Sequence, residues 1–476
     1  MKKSIAHFDM VRCAGHSNGT IKAHLRMLDH EVFSQGPLEK TMKQLRKIVA
    51  ALGFFLMTGS ASLAANPSPQ DVIHSWYGLV FDLTRHTPTY TPPFASRAHA
   101  YLGVTVYEAV ASGSDRLQSL AGQLNELRPL PKREAGKTYD NAVVLNAALA
   151  AFVRESFENT GPTGHRAMAA FEAKETAEVS NGVAPDVLER SSAHGKAITA
   201  AILEWADTDG GADVKNMGFD ESYKMKVGPE FWVPTSTVAI QQHPLLPRWG
   251  DNRTFAIPKI TDCKLNPPPP YSEKITSPFY KDALEVYKAS MTMTPDQRTL
   301  AKFWADDPML TPTPAGHGMS IALQVLDREK ADLEKTVDVL ARMGVTQADS
   351  MIGAWHGKYI YNRLRPISFI HQHIDPEWNS LLITPPFPDY PSGHSVQSGT
   401  LGAVMTKEYG ENYAFEDRTG VVDGLTSRKF KSFWEAANEA GISRLYGGIH
   451  YRNAIENGLA YGKCIGEFTN ALKTRR

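Results

Sequence analysis

The stretch Phe387-Pro-Asp-Tyr-Pro-Ser-Gly-His394 follows a proline-rich run and places a histidine directly after a Ser-Gly turn. A serine hydroxyl, a glycine N–H and an imidazole are groups that contact anions, because glycine lets the backbone approach a ligand closely. Taken alone, Pro-Ser-Gly-His is an ordinary turn in most proteins. Its meaning therefore depends on what the chain provides on either side.

The upstream segment from Trp355 to Arg365 supplies two fixed positive charges. Residues 334–343 and 347–364 are predicted to form two helices, and the second ends before Pro366. Positions 355, 358, 362 and 365 recur at helical spacing, so Trp355, Lys358 and Arg365 are predicted to share one face. The alternative interpretation of this segment alone is a solvated basic face.

The downstream segment, Ser443-Arg444 to His450, adds a third cation and a second imidazole. Arg444 and His450 do not share a face of an unbroken helix, but Gly447-Gly448 between them offers a break that would reorient His450. The alternative is a purely structural histidine. Together the three segments supply three cations, a hydroxyl, a glycine amide and two imidazoles. Such a set suits a tetrahedral oxyanion.

The three segments resemble the signature of the superfamily that joins vanadium-dependent haloperoxidases and type 2 phosphatidic acid phosphatases. That signature is Lys, six residues, Arg-Pro; then Pro-Ser-Gly-His; then Ser-Arg, five residues, His, three residues, Asp. The resemblance is specific from Trp355 to Gly458, and a looser likeness to bacterial haloperoxidases extends from about residue 70 to the end. It agrees with an all-α fold of helical bundles, which the alanine-rich apolar spacing of both halves also predicts.

The resemblance implies a role for each matching residue. The oxyanion-binding residues would be Lys358, Arg365, Ser392, Gly393 and Arg444. His450 would bond the vanadium of vanadate, His394 would act as acid and base on the opposite side, and Lys358 would polarise hydrogen peroxide. Trp355 and Phe387 match pocket-lining aromatic residues of haloperoxidases, and plain core packing is the alternative for both.

One position departs from the signature. Ala454 stands where the final aspartate would be, and in the family that carboxylate orients the histidine that bonds vanadium or phosphorus. Asn453, Glu456 or a backbone carbonyl are the candidates to receive the His450 ring N–H instead.

The favoured function is a haloperoxidase that uses vanadate and hydrogen peroxide to oxidise halide to hypohalous acid. The alternative is an exported acid phosphatase, in which His450 would form a phosphohistidine and His394 would protonate the leaving group. The aromatic residues favour a small halide pocket, and the missing carboxylate weakens the phosphatase more. A third possibility is an oxyanion-binding protein without catalytic activity.

The whole chain has 476 residues, no net formal charge and 42% hydrophobic residues. This balance is typical of a globular enzyme and argues against nucleic acid as a partner. A basic run, an apolar run and Ser62-Leu-Ala64 predict a signal peptide at 42–64 and a periplasmic or secreted protein. Residues 1–41 are predicted to be an upstream artefact or a disordered extension, and a genuine extension before a buried helix is the alternative.

The predicted parts of the exported chain are an N-terminal helical part (65–208), an irregular wrapping segment (209–283) and a C-terminal bundle with the site (284–476). After the signal peptide no apolar run is long enough to span a membrane. Cys263 and Cys464 can form one disulfide in an oxidising compartment. His317 is expected to cap or pack, and the sequence leaves room for a homo-oligomer.

Overall fold

The structure is a computed structural model that describes residues 66–212, 218–236 and 239–476, and helices dominate its fold. These ranges contain thirteen α-helices: α1 Pro69–His86, α2 Pro92–Ala111, α3 Asn141–Ser156, α4 Pro162–Ser180, α5 Pro185–Ala206, α6 Pro278–Met291, α7 Pro295–Phe303, α8 Thr313–Arg328, α9 Leu333–Tyr361, α10 Pro366–His373, α11 Gly393–Tyr409, α12 Phe433–Tyr446 and α13 Arg452–Asn470. Strands β1 Phe415–Asp417 and β2 Arg428–Phe430 pair antiparallel, with Phe415 opposite Phe430. The predicted all-α fold class is confirmed. The predicted signal peptide and residues 1–41 lie outside the described residues.

Prolines and small polar caps define where many helices begin. Pro185 stands at the start of α5 as predicted, where the missing N–H costs nothing because the first turn has no internal acceptor. Helix α1 adds a capping box, in which Ser68 and Asp71 satisfy each other's backbone N–H groups. Local sequence therefore fixes these helix starts.

Helix α9 is one continuous helix where the sequence predicts two, over 334–343 and 347–364. It begins at Leu333, after the cap Asp332, and ends at Tyr361 because Asn362 takes a left-handed conformation with φ 48°. Its residues from Thr336 to Lys358 are almost all buried. A helix buried on every side shows no single apolar stripe, so its periodicity does not reveal that the two stretches are continuous.

The helices that carry the site pack unusually closely. Helix α9 lies against α2 and α11, and α11 also lies against α12 and α13. A methyl group at Gly462 of α13 would lie 2.0 Å from the Val396 carbonyl oxygen of α11, so only glycine permits this approach. The contact places the first turn of α11 against the second half of α13. The starts of the two helices meet where the Ser392 N–H donates to the Ala454 carbonyl, and Lys358 at the end of α9 donates to Pro391 beside them.

The segment 209–283 contains short 3₁₀ turns in its described part, at Ala239–Gln242, Trp249–Asp251 and Ile260–Asp262, before α6 begins at Pro278. Its Leu245 braces the site: the N–H donates to Pro386, and the carbonyl accepts from Trp355 at 3.1 Å and Tyr359 at 2.6 Å. The segment is also tied to α13, since Cys263 and Cys464 form the disulfide that the sequence allows.

Residues 66–476 form one compact unit, and the boundaries predicted within it stay predictions. Within the described ranges, no helix combines the length and the apolar character that crossing a membrane requires.

Candidate active site

The structure brings together the cations and histidines that the three sequence segments supply. Arg365 Nη1 lies 3.2 Å from His450 Nε2, and Arg444 Nη1 lies 3.4 Å from His394 Nε2. The charges of Lys358, Arg365 and Arg444 all lower the pKa of His450, after burial as the largest cause. The end of α9, the loop before α11 and the end of α12 therefore converge on one buried region.

Arg365 reaches this region from a turn and not from helix α9. The left-handed Asn362 ends α9, and Arg365 is the residue that precedes α10. The prediction that positions 358 and 365 share one helix face was therefore wrong. The guanidinium donates from Nε to Phe387 O and from Nη1 to Ile449 O, both at 2.8 Å. Its buried Nη2 has no hydrogen-bond partner among the described residues, which leaves a donor for a ligand.

Lys358 clamps the loop that carries the histidine motif. Its ammonium donates to the carbonyl oxygens of Pro388 at 2.9 Å, Asp389 at 3.1 Å and Pro391 at 2.6 Å. Burial lowers its pKa far below the usual value, and the neighbouring Arg365 lowers it further. Since all three N–H donors already meet carbonyl oxygens, Lys358 contributes a point charge and loop geometry.

Ser392 and Gly393 form the start of helix α11. The Ser392 hydroxyl accepts from the Ser395 N–H at 3.3 Å and from its hydroxyl at 2.9 Å, so it caps the helix. A methyl group added at Gly393 would meet only the Trp355 ring, at 3.7 Å. Protein packing therefore does not require glycine here, whereas close approach of an anion to the helix N-terminus would.

Trp355 and Phe387 form an aromatic wall beside the cations. Their ring centroids are 4.9 Å apart, and both side chains are buried. Lys358 Nζ lies 5.0 Å and Arg365 Cζ lies 4.9 Å from the Phe387 centroid, which is within cation–π range. The wall therefore both lines the region and stabilises the two charges.

The carboxylate that holds His450 comes from Asp389, a residue that the sequence analysis did not single out. His450 Nδ1 lies 2.8 Å from Asp389 Oδ1, and both side chains are buried. The predicted partners were wrong: the Asn453 side chain bonds to Arg363 and Asp282, and Glu456 lies at the surface. Asp389 lies within the motif from Phe387 to His394, but nothing local in the sequence shows that it reaches a histidine 61 residues away.

Asp389 fixes the form of the His450 ring. Burial raises the pKa of Asp389 to about 6, against the opposing charges of Arg363, Arg365 and Lys358. At neutral pH the carboxylate accepts Nδ1–H, and this assigns the lone pair to Nε2. Because burial and the cations also lower the pKa of His450, its ring is neutral. A neutral imidazole with an oriented Nε2 is suited to bond an electrophilic centre.

His394 lies at the other end of the cation set. Its side chain is 18% exposed, and Nε2 lies 3.4 Å from both Asp306 Oδ2 and Arg444 Nη1. Burial, followed by the charge of Arg444, lowers its pKa to about 4. Arg444 also donates to the backbone carbonyls of Trp304 and Ala305. His394 is thus a neutral, partly accessible group that can take up a proton.

Two carboxylates behind His394, those of Asp306 and Asp417, were not predicted from the sequence. Asp306 contacts both His394 and His317, and His317 also contacts Asp417. The expected packing role of His317 holds in part, since its ring stacks on Trp304 at 4.6 Å. Its two carboxylate partners have no local sequence signal.

The arrangement fits a tetrahedral oxyanion. Lys358, Arg365 and Arg444 are buried, and burial lowers the pKa of each arginine to about 10. The free Nη2 of Arg365 and the N-terminus of α11 can contact oxygens, while Nε2 of His450 can bond the central atom. This donor set suits vanadate and phosphate alike.

By sequence, a family model for the second helical-bundle domain of VCPO matches residues 338–475. The chain is similar to vanadium chloroperoxidase of Curvularia inaequalis, with 26% identity in an alignment of 165 residues. That match covers 24% of this chain and spans only 27% of the length of the curated relative.

By structure, the chain is similar to a protein described as the first bacterial vanadium-dependent iodoperoxidase. The TM-score is 0.78 and the identity 35%, over 86% of this chain and 98% of that one. Apo and holo forms of a bacterial vanadium-dependent chloroperoxidase share the fold, with TM-scores of 0.59 and 0.60 and identities of 13% and 14%. They cover 81% and 87% of this chain and 94% of the chloroperoxidase chain in each case. The chain therefore belongs to the vanadium-dependent haloperoxidase family of enzymes.

Proposed function

We propose that the protein oxidises halide with hydrogen peroxide to hypohalous acid, with vanadate held at His450. One observation carries the proposal: Asp389 holds His450 Nδ1 at 2.8 Å, while Nε2 lies 3.2 Å from Arg365 among buried cations. A neutral nitrogen ligand surrounded by positive charge suits a metal oxyanion.

Arg365, Arg444 and the N-terminus of α11 would hold the oxygens of vanadate, and Lys358 would add charge. When bound, vanadate supplies a Lewis-acidic centre that activates hydrogen peroxide for oxygen transfer to a halide. His394 takes up the proton that hydrogen peroxide releases on entry and returns it to the departing oxygen. Its low pKa, about 4, keeps it ready as a base at neutral pH.

The aromatic wall supports a small, partly apolar substrate. Trp355 and Phe387 are 1% and 8% exposed and lie against Lys358 and Arg365. A halide ion is weakly hydrated compared with a phosphate ester and fits such a pocket better. The relatives described as an iodoperoxidase and a chloroperoxidase support the same reaction class.

An acid phosphatase acting on phosphate monoesters remains the second candidate, because one observation favours it. A phosphohistidine mechanism needs a histidine activated by a carboxylate, and Asp389 supplies that partner in place of the residue at 454. The argument against a phosphatase from Ala454 therefore loses its force. The aromatic wall and the peroxidase relatives favour the haloperoxidase.

Both functions are tested in one experiment on purified residues 65–476 stripped of anions. The protein is assayed with and without orthovanadate, against hydrogen peroxide plus iodide or bromide, and in parallel against a chromogenic phosphate ester. We expect halide oxidation that depends on vanadate and little ester hydrolysis. Ester hydrolysis that vanadate inhibits, without halide oxidation, would overturn the proposal in favour of the phosphatase.

The role of the unpaired Nη2 of Arg365 is tested by Arg365→Lys, which keeps the positive charge and removes the planar guanidinium with its two parallel N–H donors. We expect phosphate and vanadate to bind about tenfold more weakly, since one charge-assisted hydrogen bond contributes about 1.5 kcal/mol or more. Calorimetric titration measures this. Arg154→Lys at the surface is the matched control, and an unchanged dissociation constant in Arg365→Lys would remove Arg365 from the anion site.

The backbone at Gly393 is tested by Gly393→Ala. Because the new methyl group meets only the Trp355 ring at 3.7 Å, the variant should keep its thermal stability. Oxyanion affinity should fall about tenfold, since a side chain there hinders approach to the helix N-terminus. Equal affinity in a folded variant would show that the anion does not contact this backbone.

We also propose that the protein is exported to the periplasm or secreted. The pattern of residues 42–64 and the Cys263–Cys464 disulfide support export, because disulfides persist in oxidising compartments. N-terminal sequencing of the protein from its native host should give a start after Ala64. A cytoplasmic protein that retains residues 42–64 would contradict the proposal.

A further inference from the structure

A buried histidine bridges two carboxylates directly behind the candidate acid–base residue. His317 of α8 places Nδ1 2.8 Å from Asp306 Oδ1 and Nε2 2.7 Å from Asp417 Oδ2. All three side chains are 6% exposed or less. The ring also stacks on Trp304 at an interplanar angle of 15°. Three separate elements, the loop before α8, α8 itself and strand β1, thus meet at one imidazole.

The bridge requires His317 to carry a proton on both nitrogens, because carboxylates only accept. Burial alone would lower the pKa of His317, but Asp306 and Asp417 together raise it to about 10. Reciprocally, His317 opposes the effect of burial and holds the pKa of both aspartates below their usual value. The other ionisable groups that face Asp306 are His394, Arg444 and Asp307.

Asp306 connects this bridge to the site. Its Oδ1 is held by His317, and its Oδ2 lies 3.4 Å from His394 Nε2. The residue adopts a left-handed backbone conformation with φ 51°, which few residues other than glycine adopt, although aspartate does so more often than most. A backbone of this kind persists where surrounding contacts determine it, and such residues cluster at functional sites. The two oxygens of Asp306 are therefore aimed at two different imidazoles.

We propose that His317 is a positioning residue for His394. As a doubly anchored imidazolium, it keeps Asp306 ionised and directed at His394 Nε2. Asp306 in turn lies beside His394 Nε2 and stabilises the imidazolium that forms when His394 takes up a proton from the reacting oxygen. The inference rests on the proposed role of His394 as acid and base. It also gives a purpose to the β1–β2 hairpin, which supplies Asp417.

The proton balance is simple. A proton passes from the incoming substrate oxygen to the unprotonated ring nitrogen of His394, so that the ring becomes an imidazolium that the Asp306 carboxylate stabilises. The same proton returns to the departing oxygen, and His394 becomes neutral again. Asp306 and His317 keep their protonation states throughout. Without His317, Asp306 would lose its fixed orientation and the cation that keeps it ionised.

The test compares His317→Gln and Asp417→Asn with wild type, in whichever of the two reactions the wild type performs. We expect His317→Gln to lower kcat about tenfold, with phosphate affinity nearly unchanged. The acidic limb of its pH profile should move to lower pH, because Asp306, which raises the pKa of His394, loses its orientation, and this outweighs the loss of the weaker opposing charge of His317. Asp417→Asn should show a smaller change in the same direction. A His317→Gln variant that loses only thermal stability, with kcat and pH profile intact, would overturn the inference.

A second measurement is independent of turnover. Histidine ring nitrogens are labelled with ¹⁵N and titrated by NMR in anion-free protein. We expect His317 to stay protonated on both nitrogens at pH 8, and His394 to be neutral in wild type. A neutral His317 at pH 7 would overturn the inference, even if a variant fails to fold. If wild type shows neither halide oxidation nor ester hydrolysis, the proposed function fails, while this titration still decides the inference.

Discussion

Replacing His450 with alanine is expected to abolish vanadate-dependent halide oxidation. The ring presents Nε2 to the cation-lined region, 3.2 Å from Arg365, while Asp389 holds its Nδ1 at 2.8 Å. Without that nitrogen, the central atom of the oxyanion loses its protein ligand. The three buried cations remain, so phosphate should still bind.

The measurement has two parts. Iodide or bromide oxidation is followed with and without orthovanadate, and phosphate binding is followed by calorimetry. His194→Ala is the matched control, because it also removes a buried imidazole, one that contacts Ser112 in the N-terminal half. The control should retain turnover. Equal turnover in His450→Ala would refute the proposed ligation, and lost phosphate binding would indicate that the variant site has collapsed.

Much of this site could be predicted from the sequence because its pieces are local. Lys358, Ser392, Gly393 and Arg444 each lie in a short segment whose residue types already suit an anion. The turn and the glycines beside them indicate how the backbone bends. Their common location followed from a resemblance to a known signature, and the structure brings the segments together.

The positioning partners could not be predicted in the same way. Asp389 reaches His450 across 61 residues, and His317 bonds to aspartates 11 and 100 residues away. The sequence around an aspartate does not indicate which buried imidazole its carboxylate will contact. Such pairs depend on how the loop before α11, the turn after α12 and the β1–β2 hairpin pack in three dimensions.

The extent of α9 was missed for a different reason. Periodicity reveals a helix when one face is apolar and the other is polar. Helix α9 is enclosed by α2, α11 and α13 along most of its length, so polar residues such as Thr346 and Asp349 are buried as well. The apolar periodicity is therefore weakest where the helix is most deeply buried.

Asp389→Asn is expected to lower turnover between about 10- and 100-fold, the usual effect of losing a partner that orients a ligand. The amide oxygen can still accept the His450 N–H, so the ring keeps its direction. It loses the negative charge that makes Nε2 basic. Phosphate affinity should hold or increase, because one negative charge leaves a region that Lys358, Arg363 and Arg365 make positive. A fall in turnover with phosphate affinity kept would distinguish this role from a general loss of structure, which would lower both.

The double variant Asp389→Asn with Ala454→Asp extends the test. Ala454 is buried at the position of the family carboxylate, and its carbonyl accepts the Ser392 N–H at 3.0 Å, so the position borders the site. If position 389 has taken over the role of position 454, a carboxylate at 454 should restore part of the lost turnover. Steady-state kinetics of the single and double variants decide this. A folded Asp389→Asn enzyme with wild-type turnover would show that His450 needs no carboxylate, and the contact at 2.8 Å would then be structural only.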